Sequence, residues 1–221
     1  TGADDVDLHL KQAGAGVVTL GDGGTTNYVQ VASDGHMTFA GTATYWDDVV
    51  VPGAMLRDVG AAAADFDQWG ARPLYAYHFQ AANDEELYGS IQMPHSWAGT
   101  SIDFHVHWTP ETVSDGDPAS QQVRWCIDYT WSEYDAVFPA TTTATCGLGP
   151  SEAPVADKHY ITAIGTLAPG TGADKGSSVL YFRIYRDANH ADDDYEHEAI
   201  LLSIDAHFEA NRLGSNTSTP D

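Results

Sequence analysis

Between residues 101 and 109 the chain alternates. Ile102, Phe104, Val106 and Trp108 point one way, and Asp103, His105 and His107 the other. The same period of two recurs over 123–131, where Val123, Trp125, Ile127, Tyr129 and Trp131 share a face. It recurs over 199–209, with Ile200, Leu202, Ile204, Ala206 and Phe208 together. Alternation of this length marks strands with one buried face. Residues 73–80, 86–93, 159–167 and 178–186 read the same way. Strands separated by Gly-, Pro- and Asp-rich turns predict an all-β protein, an antiparallel β-sandwich. Long strands with irregular connections favour the jelly-roll type.

Helical periodicity is scarce. The Ala-rich run 60–69 (GAAAADFDQW) predicts one or two helical turns on a sandwich edge. The first part of the chain has shorter apolar pieces, 16–20, 28–32 and 36–40, split by GDGG, SDG and AG turns. Such a ladder buries little by itself, because isolated hairpins are marginal in water. The expected organisation is an N-terminal strand–turn arm over residues 1–48 that serves as an attachment segment. A sandwich follows over 49–212, then a flexible polar tail over 213–221.

Charge changes the picture most. Thirty-two Asp and Glu stand against nine Lys and Arg, for a net charge of −23. At ordinary ionic strength such a surface repels itself. At about 1 M salt the screening length falls to roughly 3 Å and the repulsion largely disappears. Six Trp, eleven Tyr and seven Phe separate the chain from acidic disordered proteins. A folded protein adapted to concentrated salt is the reading that fits. The few scattered basic residues exclude a stripe that tracks phosphates, so no nucleic-acid partner is expected. Anionic membranes are excluded for the same reason, and no apolar run is long enough to span a bilayer. No signal-peptide pattern is present, so release within an assembled particle is the expected route out of a cell.

Candidate chemistry is sparse. Cys126 lies in a strand-like run and Cys146 in a Thr/Gly-rich loop twenty positions on; they could pair, but the favoured reading is two unrelated small residues. Asn216-Thr217-Ser218 matches a glycosylation sequon. His105 and His107 lie on one strand face beside Asp103, with His95 before them and His207 near Asp205 on another polar face. Two His at i and i+2 can bind a metal in cupin-like jelly rolls, given a third ligand. Spacing shows no third ligand. His95, His105 and His107 are therefore expected to be structural or interfacial, bonded to carboxylates, with no catalytic, cofactor or metal role; a structural cation stays open. Asp192-Asp193-Asp194 with Glu196 and Glu198 reads as a solvated acidic turn rather than a hard-cation loop. No G-x-S-x-G elbow, P-loop, H-E-x-x-H or dinucleotide fingerprint is present. Tyr181 and Tyr185 share a face with Arg183, which suits an interface.

A succession of segments carries a resemblance. It runs YWDDVVVP (45–52), LYAYHF (74–79), EELYGSIQMPHSW (85–97), IDFHVHWTP (102–110) and VRWCIDYTW (123–131). It continues VFPATTT (137–143), KHYITAIGTL (158–167), SSVLYFRIYRDA (177–188) and LLSIDAHFEANRLGS (201–215). Over residues 20–215 this order resembles a family of virion structural proteins of tailed phages and related archaeal viruses. The resemblance implies that His95, His105, His107 and the Arg124–Trp125 pair belong to the family pattern, without a catalytic role. With the acidic composition, it implies a virus of a halophilic archaeon.

The expected function is a non-enzymatic virion protein on the capsid exterior: a decoration, cement or turret subunit. Its partners would be other virion proteins and copies of itself, as a trimer. The alternatives are a tail or fibre component that binds host surface glycans and, further off, a cupin-like metalloenzyme or glycan hydrolase.

Overall fold

The alternating runs become strands because each offers an apolar face that must be covered. The computed structural model describes residues 18–21, 26–32, 34–112, 121–140, 142–170 and 175–214. Its strands are β1 (Val18–Gly21), β2 (Tyr28–Val31), β3 (Met37–Ala40), β4 (Tyr45–Pro52) and β5 (Asp65–Gln68). They continue with β6 (Tyr75–Phe79), β7 (Glu85–Gln92), β8 (Ile102–Pro110) and β9 (Val123–Ser132). The last are β10 (Thr143–Gly149), β11 (Tyr160–Leu167), β12 (Val179–Arg186) and β13 (Ala199–Ala210).

These strands form an antiparallel β-sandwich. One sheet has the order β10-β9-β12-β7. The other has the order β11-β8-β13-β6-β5, and β4 also pairs with β13. The far edge of β13 is therefore shared: Ala199–Leu201 pair with β6, and Ser203–Ala210 with β4. The pairings nest along the chain: β9 with β10, β8 with β11, β7 with β12, and β6 with β13.

The core is aromatic. Phe79 meets Trp125 edge-on at 4.9 Å, Phe104 of one sheet meets Phe182 of the other at 5.6 Å, and Trp97 stacks on Trp131 at 5.2 Å. The buried indoles of Trp108 and Trp131 donate to Thr162 Oγ1 and Ser178 Oγ at 2.9 and 3.0 Å. Those bonds let large amphipathic rings enter an apolar interior. The two sheets close up at β10 and β11, where a Cβ on Gly147 would lie 1.9 Å from the Ala163 carbonyl oxygen. Only glycine fits there.

Several expectations need correction. Residues 60–69 are not α-helical. Gly60–Ala62 is a single 3-10 turn, and Asp65–Gln68 pairs with β6. The Ala run is too short to nucleate a helix alone, and Phe66 instead lies on β5 with its ring 4.9 Å from Tyr77. On β13 the ladder with β8 shifts between Leu201 and Ser203, so Leu201 rather than Leu202 enters the core. Cys126 and Cys146 are not unrelated. Residues 143–149 form a strand rather than a loop, Cys146 stands opposite Cys126, and the two are joined as a disulfide.

The N-terminal ladder is a small sheet of order β1-β2-β3. It lies against the end of its own chain. Phe39 N–H donates to Asn211 O at 2.6 Å, and Thr38 bridges Arg212. The expected boundary at residue 48 falls inside β4, where Asp48 stands opposite His207. The expected tail begins at Leu213 and Gly214; Asn216 and its sequon lie outside the described residues.

Candidate functional site

Two outer faces carry the distinctive chemistry. On the six-stranded sheet, antiparallel register places Asp205 of β13 opposite His105 of β8 on one side and Val50 of β4 on the other. His207, two residues on, stands between Asp103 and Asp48. The period of two makes all these side chains face outward. The result is a cluster of imidazoles around one carboxylate, which is 5% exposed.

The distances are short. His107 Nε2 lies 3.0 Å and His207 Nε2 2.9 Å from Asp205 Oδ2. His105 Nδ1 lies 3.3 Å from Asp205 Oδ1. Outside this ring, His107 Nδ1 is 2.9 Å from His159 Nε2, and His207 Nδ1 is 3.0 Å from Asp48 Oδ1. One donor atom each from His105, Asp205 and His207 falls within 4.8 Å of the others, a spacing that suits a metal ion.

Of the histidines singled out from sequence, His105 and His107 are thus brought together, and His95 is not. His95 sits after β7 and bonds through Nε2 to Ser177 Oγ at 2.7 Å. Sequence reasoning did not join Asp205 and His207 to the pair on β8. The signal was an i, i+2 repeat on each of two strands, which converges only if those strands are neighbours.

The outer face of the four-stranded sheet bears a groove of about 640 Å³ lined by Met55, Leu56, Tyr88, Asp128, Tyr181 and Arg183 among others. Arg183 is its charged centre, bonded to Glu86 at 2.6 Å and Asp128 at 2.5 Å. Its guanidinium also lies 4.3 Å from the Tyr185 ring centroid. Partial burial opposes that charge, but the bonds to Glu86 and Asp128 outweigh it and raise the pKa above the ordinary arginine value. Tyr88 donates to Glu86 at 2.7 Å, which pushes the Tyr88 hydroxyl up. Tyr181 stands open at the groove, half-exposed, in edge contact with Phe138 at 5.6 Å.

Asp193, Glu198 and the two cysteines have structural partners. Asp193 is not part of a solvated turn, since it is buried against Arg186. Cys126 and Cys146 lie near Asp187, but their sulfurs are committed to each other. His78 Nδ1 is 2.8 Å from Glu198 Oε2 at the opposite end of β13. Among the described residues no helix is long and apolar enough to cross a membrane. Neither a protein-family model nor a curated protein matches the chain.

Proposed function

We propose that this chain is a non-enzymatic structural protein on the exterior of a virus particle, a decoration, cement or turret subunit of a halophilic archaeal tailed virus. The succession of segments from YWDDVVVP to LLSIDAHFEANRLGS supports the virion role through its resemblance, and the −23 charge supports the saline setting. The nested pairing supports the jelly-roll form. Rolling one long hairpin pairs first strand with last and brings β8 to β13 and β9 to β12, which is the order seen.

The observation that carries the assembly role is the β5–β6 edge. β5 ends its sheet, and Phe66, Leu74 and Tyr75 are all more than half exposed around it. An open edge beside an aromatic patch is a pairing surface unless it is covered. On this reading the patch joins neighbouring copies, in a trimer, and the sandwich sits on other capsid proteins. The test is light scattering of the purified chain in molar KCl, with co-sedimentation on purified particles. Oligomers that Phe66→Ser and Tyr75→Ser dissociate support the reading. A monomer that does not associate with particles overturns it.

A second reading is a tail or fibre component that binds host glycans. It is favoured by the groove, where half-exposed Tyr181 stands beside Arg183 and Asp128. Aromatic rings beside paired polar groups suit sugar faces and hydroxyls. Binding to host surface glycans that Tyr181→Ala abolishes would select this reading.

A further inference from the structure

We propose that His105, Asp205 and His207 form a binding site for one divalent transition-metal ion of the zinc class, which ties β8 to β13. The inference is independent of the virion reading and rests on the geometry of the outer sheet face.

The donor set comes first. Imidazole nitrogens with a single carboxylate suit zinc and its neighbours, whereas calcium and magnesium want oxygen ligands throughout. The ligands sit on two paired strands, so the backbone ladder fixes their spacing.

The second observation is a pair of orphaned atoms. Nδ1 of His105 and Oδ1 of Asp205 are buried, and among the described residues neither makes a hydrogen bond. They nevertheless face each other at 3.3 Å. Ligands about 2.0–2.1 Å from a tetrahedral zinc lie about 3.3 Å from one another. A plain hydrogen-bonded cluster explains the His107–His159 contact but leaves these two buried atoms unsatisfied.

The third observation is the placing of His207. A neutral imidazole carries one N–H. If Nδ1–H donates to Asp48, the lone pair of Nε2 points towards Asp205 Oδ2, 2.9 Å away. A cation between them turns that opposition into shared ligation. The Asp48–His207 contact is then the carboxylate–histidine support that metal-binding imidazoles usually have. His107 lies outside this set of mutually close donors; its Nε2, 3.0 Å from Asp205 Oδ2, orients the carboxylate from the side. Three protein ligands converge, which leaves the fourth tetrahedral position to water.

The experiment uses the untagged full chain in molar KCl, stripped with a chelator and then dialysed against Zn²⁺ or Co²⁺. One ion per chain is expected by elemental analysis, and Co²⁺ should give the visible spectrum of a four-coordinate ion. His105→Ala and His207→Ala should each abolish both signals. Asp48→Asn should weaken affinity by about 10–100-fold, as loss of an outer partner does. His95→Ala should change nothing. With the unmutated chain, Zn²⁺ should raise the melting temperature and EDTA should reverse the rise, which tests the site even if a variant fails to fold. No stoichiometric metal on the unmutated chain, or full binding by the His105→Ala/His207→Ala double variant, overturns the proposal.

Discussion

Arg186 and Asp193 face each other at 2.7 Å with no access to water, their side chains 0% and 1% exposed. Every N–H of the guanidinium is used. Nε and Nη2 reach the Asp193 carboxylate, Nη1 donates to the Phe79 and His197 carbonyls, and Nη2 also donates to the Tyr195 carbonyl. Asp193 in turn accepts the Arg124 backbone N–H at 2.9 Å. The pair therefore fastens the segment between β12 and β13 to the ends of β6 and β9.

Removing one partner strands a buried charge, so Arg186→Met should destabilise by about 3–5 kcal/mol. Replacing both with apolar residues often restores stability when charge is the only issue. Here Arg186→Met with Asp193→Leu should remain destabilised, because three carbonyls lose their donor. Chemical denaturation in molar KCl measures both. A double variant as stable as the parent would show that the carbonyl contacts contribute nothing.

The Cys126–Cys146 link closes a loop between adjacent strands, with a sequence separation of 20. On the chain-entropy account a loop of this length contributes about 3 kcal/mol. Reduction, or Cys146→Ser paired with Cys126→Ala, should lower the melting temperature without loss of β-sheet circular dichroism, since β10 keeps its ladder with β9. An unchanged melt on full reduction, verified by thiol titration, would contradict this.

Strand content was legible where one face is apolar, as along β8, β9 and β12. It was not legible where packing decides. β10 (TATCGLG) has too few large apolar residues to show a period, so Cys146 looked like a loop residue. β5 was hidden by the Ala run before it. The acidic triplet concealed a buried Asp193, because its partner Arg186 reaches it only when the chain turns back. The histidine face shows the limit most clearly. Two i, i+2 pairs were visible, but nothing local places β8 beside β13. That neighbourhood is set by the order of strands in the whole sheet.

Glu85 supplies a pH dependence. It is buried, accepts the Gln80 backbone N–H at 2.8 Å, and its pKa is raised chiefly by burial, with Asp65 and Glu198 adding to the effect. The folded state therefore holds the Glu85 proton more tightly than the unfolded state. Its stabilising contribution is present below the ordinary glutamate value of 4.5 and is lost as pH rises through the raised value. Glu85→Gln keeps an oxygen for Gln80 N–H and removes the buried charge. Its stability should fall less than the parent's between pH 4.5 and 7, measured by denaturant midpoints at fixed salt. Parallel curves for parent and variant would remove Glu85 as the cause.

Salt should be needed for stability. Among the described residues, Arg72, Arg124, Lys158, Lys175, Arg183 and Arg186 are already ion-paired, while the chain carries 32 acids against nine Lys and Arg. Little positive charge is left to offset the excess, so the offset must come from dissolved cations. The screening length is about 30 Å at 0.01 M and about 3 Å at 1 M, so repulsion acts across the whole protein in dilute buffer and barely between neighbours in molar salt. Each kcal/mol of repulsion relieved should raise the melting temperature by about 2–4 °C for a chain of this size. Circular dichroism melts from millimolar to molar KCl should therefore show a steep rise. A neutral osmolyte at the same concentration should not reproduce the millimolar-to-molar increment, because it leaves the charges unscreened. A melting temperature independent of KCl, or one restored equally by the osmolyte, would show that the acidic surface does not govern stability.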